Sequence, residues 1–171
     1  MTLNNDTLIK KDRLRYTKNK LSANLTYLSI VFNTLYFVCL YSSDIKRQYV
    51  GESYYVWMVG ISVLYNLVFM LAAFLCSEGV KSYNIKHGFA LIIVGAAQIA
   101  RIFIWPMDLH AKEVTGPTGT ELVMPDGQFL RCVIYLVGSA ALCVIAGVIA
   151  VIKTTTLRSY EAELKRRGSK P

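Results

Sequence analysis

Asn33, Asn66, Gln98 and Arg101 each interrupt a long apolar stretch of this sequence. Three carboxamides and a guanidinium offer many hydrogen-bond donors and acceptors, but no nucleophile and no general base. The chemistry open to them is recognition: hydrogen-bonded cross-links between helices, or the lining of a small polar cavity. Each belongs to a stripe with spacings of three and four. Ser22, Thr26, Ser29, Asn33 and Tyr36 form one stripe, and Ser62, Asn66, Phe69, Ala73 and Cys76 a second. Gln98, Arg101, Trp105 and Asp108 form a third, and Ser139, Cys143, Ala146 and Ala150 a fourth. Small residues on such faces let helices approach closely, and polar ones bond across the gap.

Arg101 is the one charge well inside an apolar stretch, five residues before Pro106. Its long side chain is expected to snorkel toward headgroups, or to pair with an outer carboxylate such as Asp44, Glu52 or Asp108. The alternative is an anion or lipid-headgroup site shared with Arg131, the candidate headgroup contact.

Other chemistry finds little support. His87 and His110 fall at opposite ends of the third apolar stretch and cannot jointly ligate a haem or metal ion. Cys39, Cys76, Cys132 and Cys143 contain no Cys-x-x-Cys pattern; Cys39 and Cys132 both fall toward the outer side, where a pairing of the two is the alternative to free buried thiols, the default reading. There is no Walker A loop, His-Glu-x-x-His or Gly-x-Ser-x-Gly. Proton coupling needs an intramembrane carboxylate, and the nearest, Glu78, falls at a span's edge. No catalytic, cofactor-binding or metal-binding residue is therefore expected, nor a cofactor.

The elements that must position the polar residues follow from composition. The chain has 171 residues, 54% of them hydrophobic and 18% charged, an apolar excess over the soluble norm. It gathers into four stretches, about residues 21–41, 54–76, 88–106 and 129–152. Each reaches the roughly 20 residues that a helix needs to cross about 30 Å of hydrocarbon. The first is too long for a signal-peptide core, is followed by no small-x-small cleavage site, and is read as a permanent helix.

Charge sets the orientation. Lys10, Lys11, Arg13, Arg15, Lys18 and Lys20 precede the first stretch, Lys81 and Lys86 join the second to the third, and six more basic residues follow the fourth. Lys46, Arg47, Lys112 and Arg131 fall on the other side. The positive-inside rule then places both termini in the cytoplasm. Most of the net charge of +8 is membrane anchoring, with some affinity for anionic headgroups, and nucleic acid is not an expected partner.

The expected fold is an all-α integral membrane protein, a four-transmembrane-helix bundle with both termini inside. Residues 1–20 form a basic cytoplasmic segment, with a short interfacial helix capped by Asp6 and carrying Leu8, Ile9 and Leu14. Residues 21–152 form the membrane domain, and 153–171 a basic cytoplasmic helix and tail that extends the fourth span. Leu157, Tyr160 and Leu164 give that extension one apolar face, and Gly168 is its stop. Between Met107 and Gln128, turn signals at residues 115–119 and 125–127 flank an extended Glu121–Met124, which predicts a small extracytoplasmic hairpin-like cap ordered against the bundle mouth or another subunit.

These features favour a non-enzymatic, multi-pass plasma-membrane protein. The expected role is an accessory or stabilising subunit of a larger assembly such as a transporter, with lipid, other membrane subunits or copies of itself as partners. A small oligomeric carrier, channel or flippase using the midplane polar residues is the second expectation. The topology has a direct check: a cysteine added at either terminus should react with a membrane-impermeant maleimide only after the cells are opened. Labelling of either terminus in intact cells would reverse the orientation.

Overall fold

The computed structural model describes residues 9, 12–41, 52–116 and 119–168. The expected cap Asp6 and Leu8 lie outside this set, although residues 12–16 are helical. Helix α1 spans Lys20–Tyr41, α2 Glu52–Lys81 and α3 Ile85–Ile104. A short α4, Pro106–Ala111, leads into β1, Glu113–Gly116, and β2, Gly119–Leu122, and α5 runs unbroken from Asp126 to Gly168. Among the described residues, four helical segments are long and apolar enough to cross a membrane.

Their polarity is arranged for lipid. The inward face of α1 carries Ser22, Ala23, Thr26, Ser29, Asn33, Tyr36 and Leu40, a run of mostly small or polar side chains. Val31, Leu35 and Val38 of the same helix are exposed, as are Leu64, Leu67, Val68 and Leu71 on α2 and Ile93 and Phe103 on α3. In water such faces would drive aggregation; in hydrocarbon they cost nothing and leave packing and hydrogen bonds to hold the helices together.

Around the bundle, α5 packs against both α1 and α3, and α2 closes the opposite side against the same two helices. Thus α1 and α3 lie on one diagonal, and α2 and α5 on the other. The α3–α5 contact is close because glycines line it. A Cβ added to Gly147 would come within 2.7 Å of the Gly88 carbonyl oxygen, and one on Gly95 within 2.8 Å of Val144 and 3.0 Å of the Ala140 oxygen. The α1–α5 contact is bonded as well as close. Ser22 Oγ donates to the Ala146 carbonyl at 2.6 Å, and Ser29 and Ser139 reach each other's carbonyls at 2.9 and 3.1 Å.

Between α2 and α3 the chain turns within three residues. Tyr83 adopts a left-handed φ of 55°, and Asn84 Oδ1 accepts from the Lys86 amide to start α3. At the other end, Pro106 stops α3 because it supplies no amide and disfavours a helical residue before it; it becomes the first residue of α4 instead.

The hairpin is an antiparallel ladder from Glu113↔Leu122 to Gly116↔Gly119. The extended segment expected at Glu121–Met124 starts earlier and ends at Leu122. Beyond it the Val123 amide still donates to the Lys112 carbonyl at 3.0 Å, and Val123 and Met124 are buried in the bundle mouth with Tyr36, Leu40, Leu109 and Leu136. Gln128 secures the same end: its Nε2 donates to the carbonyls of Cys39, at 2.9 Å, and Leu40, at 3.4 Å, two of the acceptors that the end of α1 leaves open. At the end carrying the tails, Lys153 Nζ donates to Asn19 Oδ1 at 3.1 Å.

The glycine contact predicts a local loss of stability. Gly147→Leu should lower unfolding stability in detergent by about 1–3 kcal/mol through overpacking. Gly60→Ala, where an added Cβ meets nothing within 4 Å, should leave it unchanged. Equal thermal midpoints for the two variants would show that the close approach is not needed.

Candidate functional site: a buried polar hub

Asn33, Asn66, Gln98 and Arg101 meet in one cluster at the bundle axis. Arg101 and Gln98 lie three residues apart on the inward face of α3, so both point across the bundle. Arg101 Nη1 donates to Asn33 Oδ1 at 3.2 Å and to Asn66 Oδ1 at 3.0 Å, and Nη2 donates to Ser62 Oγ at 3.0 Å. Gln98 Nε2 donates to Asn33 Oδ1 at 3.0 Å. Asn33 Nδ2 passes the chain on to Asn66 Oδ1 at 2.9 Å, and Asn66 Nδ2 ends it on the Ser62 carbonyl at 2.9 Å. The cation sets the direction of the network: both asparagine oxygens must face the guanidinium, so both amide groups donate away from it.

Three rings enclose the guanidinium. Its central carbon lies 4.4 Å from the Tyr36 ring centroid, 4.5 Å from that of Tyr65 and 5.8 Å from that of Trp105. The electron-rich ring faces disperse the charge, each contributing up to about 2 kcal/mol where water is excluded. Burying the cation costs several kcal/mol, and the ring faces and polarised carboxamides offset that cost without a formal negative charge.

One expectation for Arg101 is corrected, and a second is tested only at Asp108. Arg101 does not snorkel: the residue is fully buried. Among the described residues no carboxylate reaches it. Asp108 is bonded to Lys112 at 2.7 Å, while Asp44 and the Glu52 side chain lie outside the described residues. The reason is rotational. Arg101 shares the phase of Gln98 on the inward face of α3, so its guanidinium enters the bundle axis. Arg131 is not part of the hub; it lies on the exposed side of α5, with Nε donating to the Gly127 carbonyl at 3.1 Å.

Sequence reasoning left four members out of the site: Ser62, Tyr36, Tyr65 and Trp105. Ser62 stands on the second polar stripe, and each of the three rings has a signal in helical spacing. Tyr36 follows Asn33 by three, Tyr65 follows Ser62 by three and Trp105 follows Arg101 by four, so each ring stands one turn from a polar group on its own helix.

Three gaps mark where the hub is incomplete: Gln98 Oε1, Arg101 Nε and the Tyr36 hydroxyl are buried without a hydrogen-bond partner. Beside it, a groove of about 190 Å³ opens between α1 and α2, lined by Asn33, Thr34, Phe37, Val63, Asn66, Leu67 and Met70. The histidines stand elsewhere. The His87 ring packs against Gly79, and His110 stacks on Phe129 with centroids 4.4 Å apart. Among the described residues, no group of three His, Cys, Asp or Glu side chains could hold a metal ion.

By helix length and composition this is a multi-pass membrane protein. No protein-family model matches the chain, and no curated protein or solved structure matches it.

The hub predicts graded losses. Arg101→Met leaves the oxygens of Asn33, Asn66 and Ser62 short of a donor and should cost about 2–3 kcal/mol. Arg101→Lys should recover part of this, because an ammonium cannot span the same three acceptors in a planar fork. Thermal unfolding in detergent reads both; a Met variant as stable as the parent would remove the hub's structural role.

Proposed function

We propose that this chain is a non-enzymatic plasma-membrane protein with both termini in the cytoplasm. It acts as an accessory or stabilising subunit of a larger membrane assembly such as a transporter. The observation that carries this reading is the engagement of the hub with itself. Both Nη groups of Arg101 and both asparagine carboxamides spend their bonds within the chain, which suits a rigid brace better than a solute path. The surface left for outside contacts is apolar and broad. Along α2, Trp57, Ile61, Leu64, Val68, Leu71 and Leu75 all point outward, where lipid or a second membrane subunit can cover them. The hairpin then forms an extracytoplasmic cap, and the basic flanks, with Arg131 at the opposite surface, contact headgroups.

A second reading, a small oligomeric carrier, channel or flippase, draws on the unpartnered Gln98 Oε1 and the lateral groove floored by Asn33 and Asn66.

Extraction in mild detergent at native expression, followed by mass spectrometry, separates the two. An accessory subunit should bring down one stoichiometric partner, and recovery of this chain alone would overturn that role. The carrier reading requires that Gln98→Ala, while still folded, abolish flux in liposomes; unchanged flux removes it.

A further inference from the structure

Away from the hub, two thiols face each other across the α1–α5 contact. Cys39 stands in the last turn of α1 and Cys132 in the second turn of α5, and their sulfurs are 3.6 Å apart. Their backbones are held independently of the thiols. Gln128, one helical turn before Cys132 and on the same face of α5, donates its Nε2 to the Cys39 carbonyl. The two sulfurs therefore need to close by about 1.5 Å to reach bonding distance.

Their surroundings differ. Cys132 is fully buried in the apolar cluster with Tyr36, Leu40, Met58 and Leu136, whereas Cys39 sits half-buried at its edge. The remaining cysteines are placed otherwise: the Cys143 sulfur lies 3.0 Å from Ser29 Oγ, and Cys76 is buried in the second apolar cluster.

We propose that Cys39 and Cys132 form an oxidisable pair whose disulfide clamps α1 to α5 at the hairpin end of the bundle. The oxidant is an external disulfide, protein-borne or small. Cys39, the accessible member, loses its proton and attacks one sulfur of that disulfide, and the other sulfur leaves as a thiolate that takes up a proton. Cys132 then loses its proton and attacks the Cys39 sulfur, and the second external thiol departs. Two thiols of the chain are oxidised to one disulfide, and one external disulfide is reduced to two thiols. The clamp acts on the hub through Tyr36, one turn from Cys39 on α1, whose ring covers the Arg101 guanidinium. Fixing the end of α1 to α5 holds that ring in place. The clamp rests on the proposed topology only for where the oxidant comes from: with the termini inside, the pair faces the compartment in which disulfides persist.

The test uses the purified, reduced full-length protein in detergent, treated with dithiodipyridine. Remaining thiols are then alkylated, and peptides are mapped without reduction. The expected result is a peptide joining Cys39 to Cys132, with no pyridyl adduct retained on Cys39 and with Cys76 and Cys143 outside the linkage. In Cys132→Ser the adduct should persist on Cys39, because nothing is left to displace it. In the parent protein, recovery of both cysteines as alkylated thiols, or a stable pyridyl adduct on Cys39, overturns the proposal. The parent result stands whether or not the variant folds. An inverted topology would appear separately, in the terminal labelling, without changing the purified-protein result.

Discussion

A guanidinium shut inside a membrane bundle imposes a demand that the rest of this structure answers. Arg101 cannot reach water from a fully buried position, so its donors must end on protein acceptors and its charge must be spread over polarisable groups. The acceptors come from two other helices: Asn33 from α1, across the diagonal, and Asn66 and Ser62 from α2, alongside. One side chain thereby ties three of the four long helices to a common point. Rotation of α1 or α2 about its own axis would withdraw an acceptor from the cation, and this penalty specifies a single arrangement where lipid-facing apolar surfaces would tolerate many.

The fourth long helix supplies closeness instead of charge partners. Gly88 and Gly95 on α3 meet Gly147 and Ala140 on α5 at distances that exclude any larger side chain. Serines 22, 29 and 139 bond to backbone carbonyls across the α1–α5 gap. With α5 held so near both diagonal helices, Asn33 and Arg101 stand within hydrogen-bond reach of each other. The hairpin end adds its own fastening, since Gln128 completes the open carbonyls of α1 while Val123 and Met124 fill the bundle mouth. The connection that looked longest in the sequence is thus packed on its own chain.

Much of this was legible beforehand, for local reasons. Ser22, Thr26, Ser29, Asn33 and Tyr36 recur at helical spacing, and α1 does turn them inward; the stripe of Ser62, Asn66, Phe69, Ala73 and Cys76 behaves likewise on α2. The fourth helix continues past residue 152 to Gly168, as an interval without Gly or Pro before that stop implied. Arg101 was harder to read. Its long side chain can reach several depths from one backbone position, and spacing alone does not say whether the better partners stand at the membrane surface or at the axis. Tyr65 stands on none of the stripes, and an aromatic residue within a span has a ready explanation as packing.

The sequence by itself determined the number of long apolar helices and their inward faces. Each of these depends on periodicity and composition along a single helix, where the 3.6-residue repeat relates neighbours directly. Only the tertiary structure decided that α1 and α3 are diagonal, that Arg101 bonds to Asn33, Asn66 and Ser62, and that Cys39 faces Cys132. Those outcomes depend on the order and rotation of helices around the axis, set jointly by glycine contacts and hydrogen bonds between residues 33 to 134 positions apart. No single stretch of the chain contains both partners of such a contact, so no local pattern could announce it.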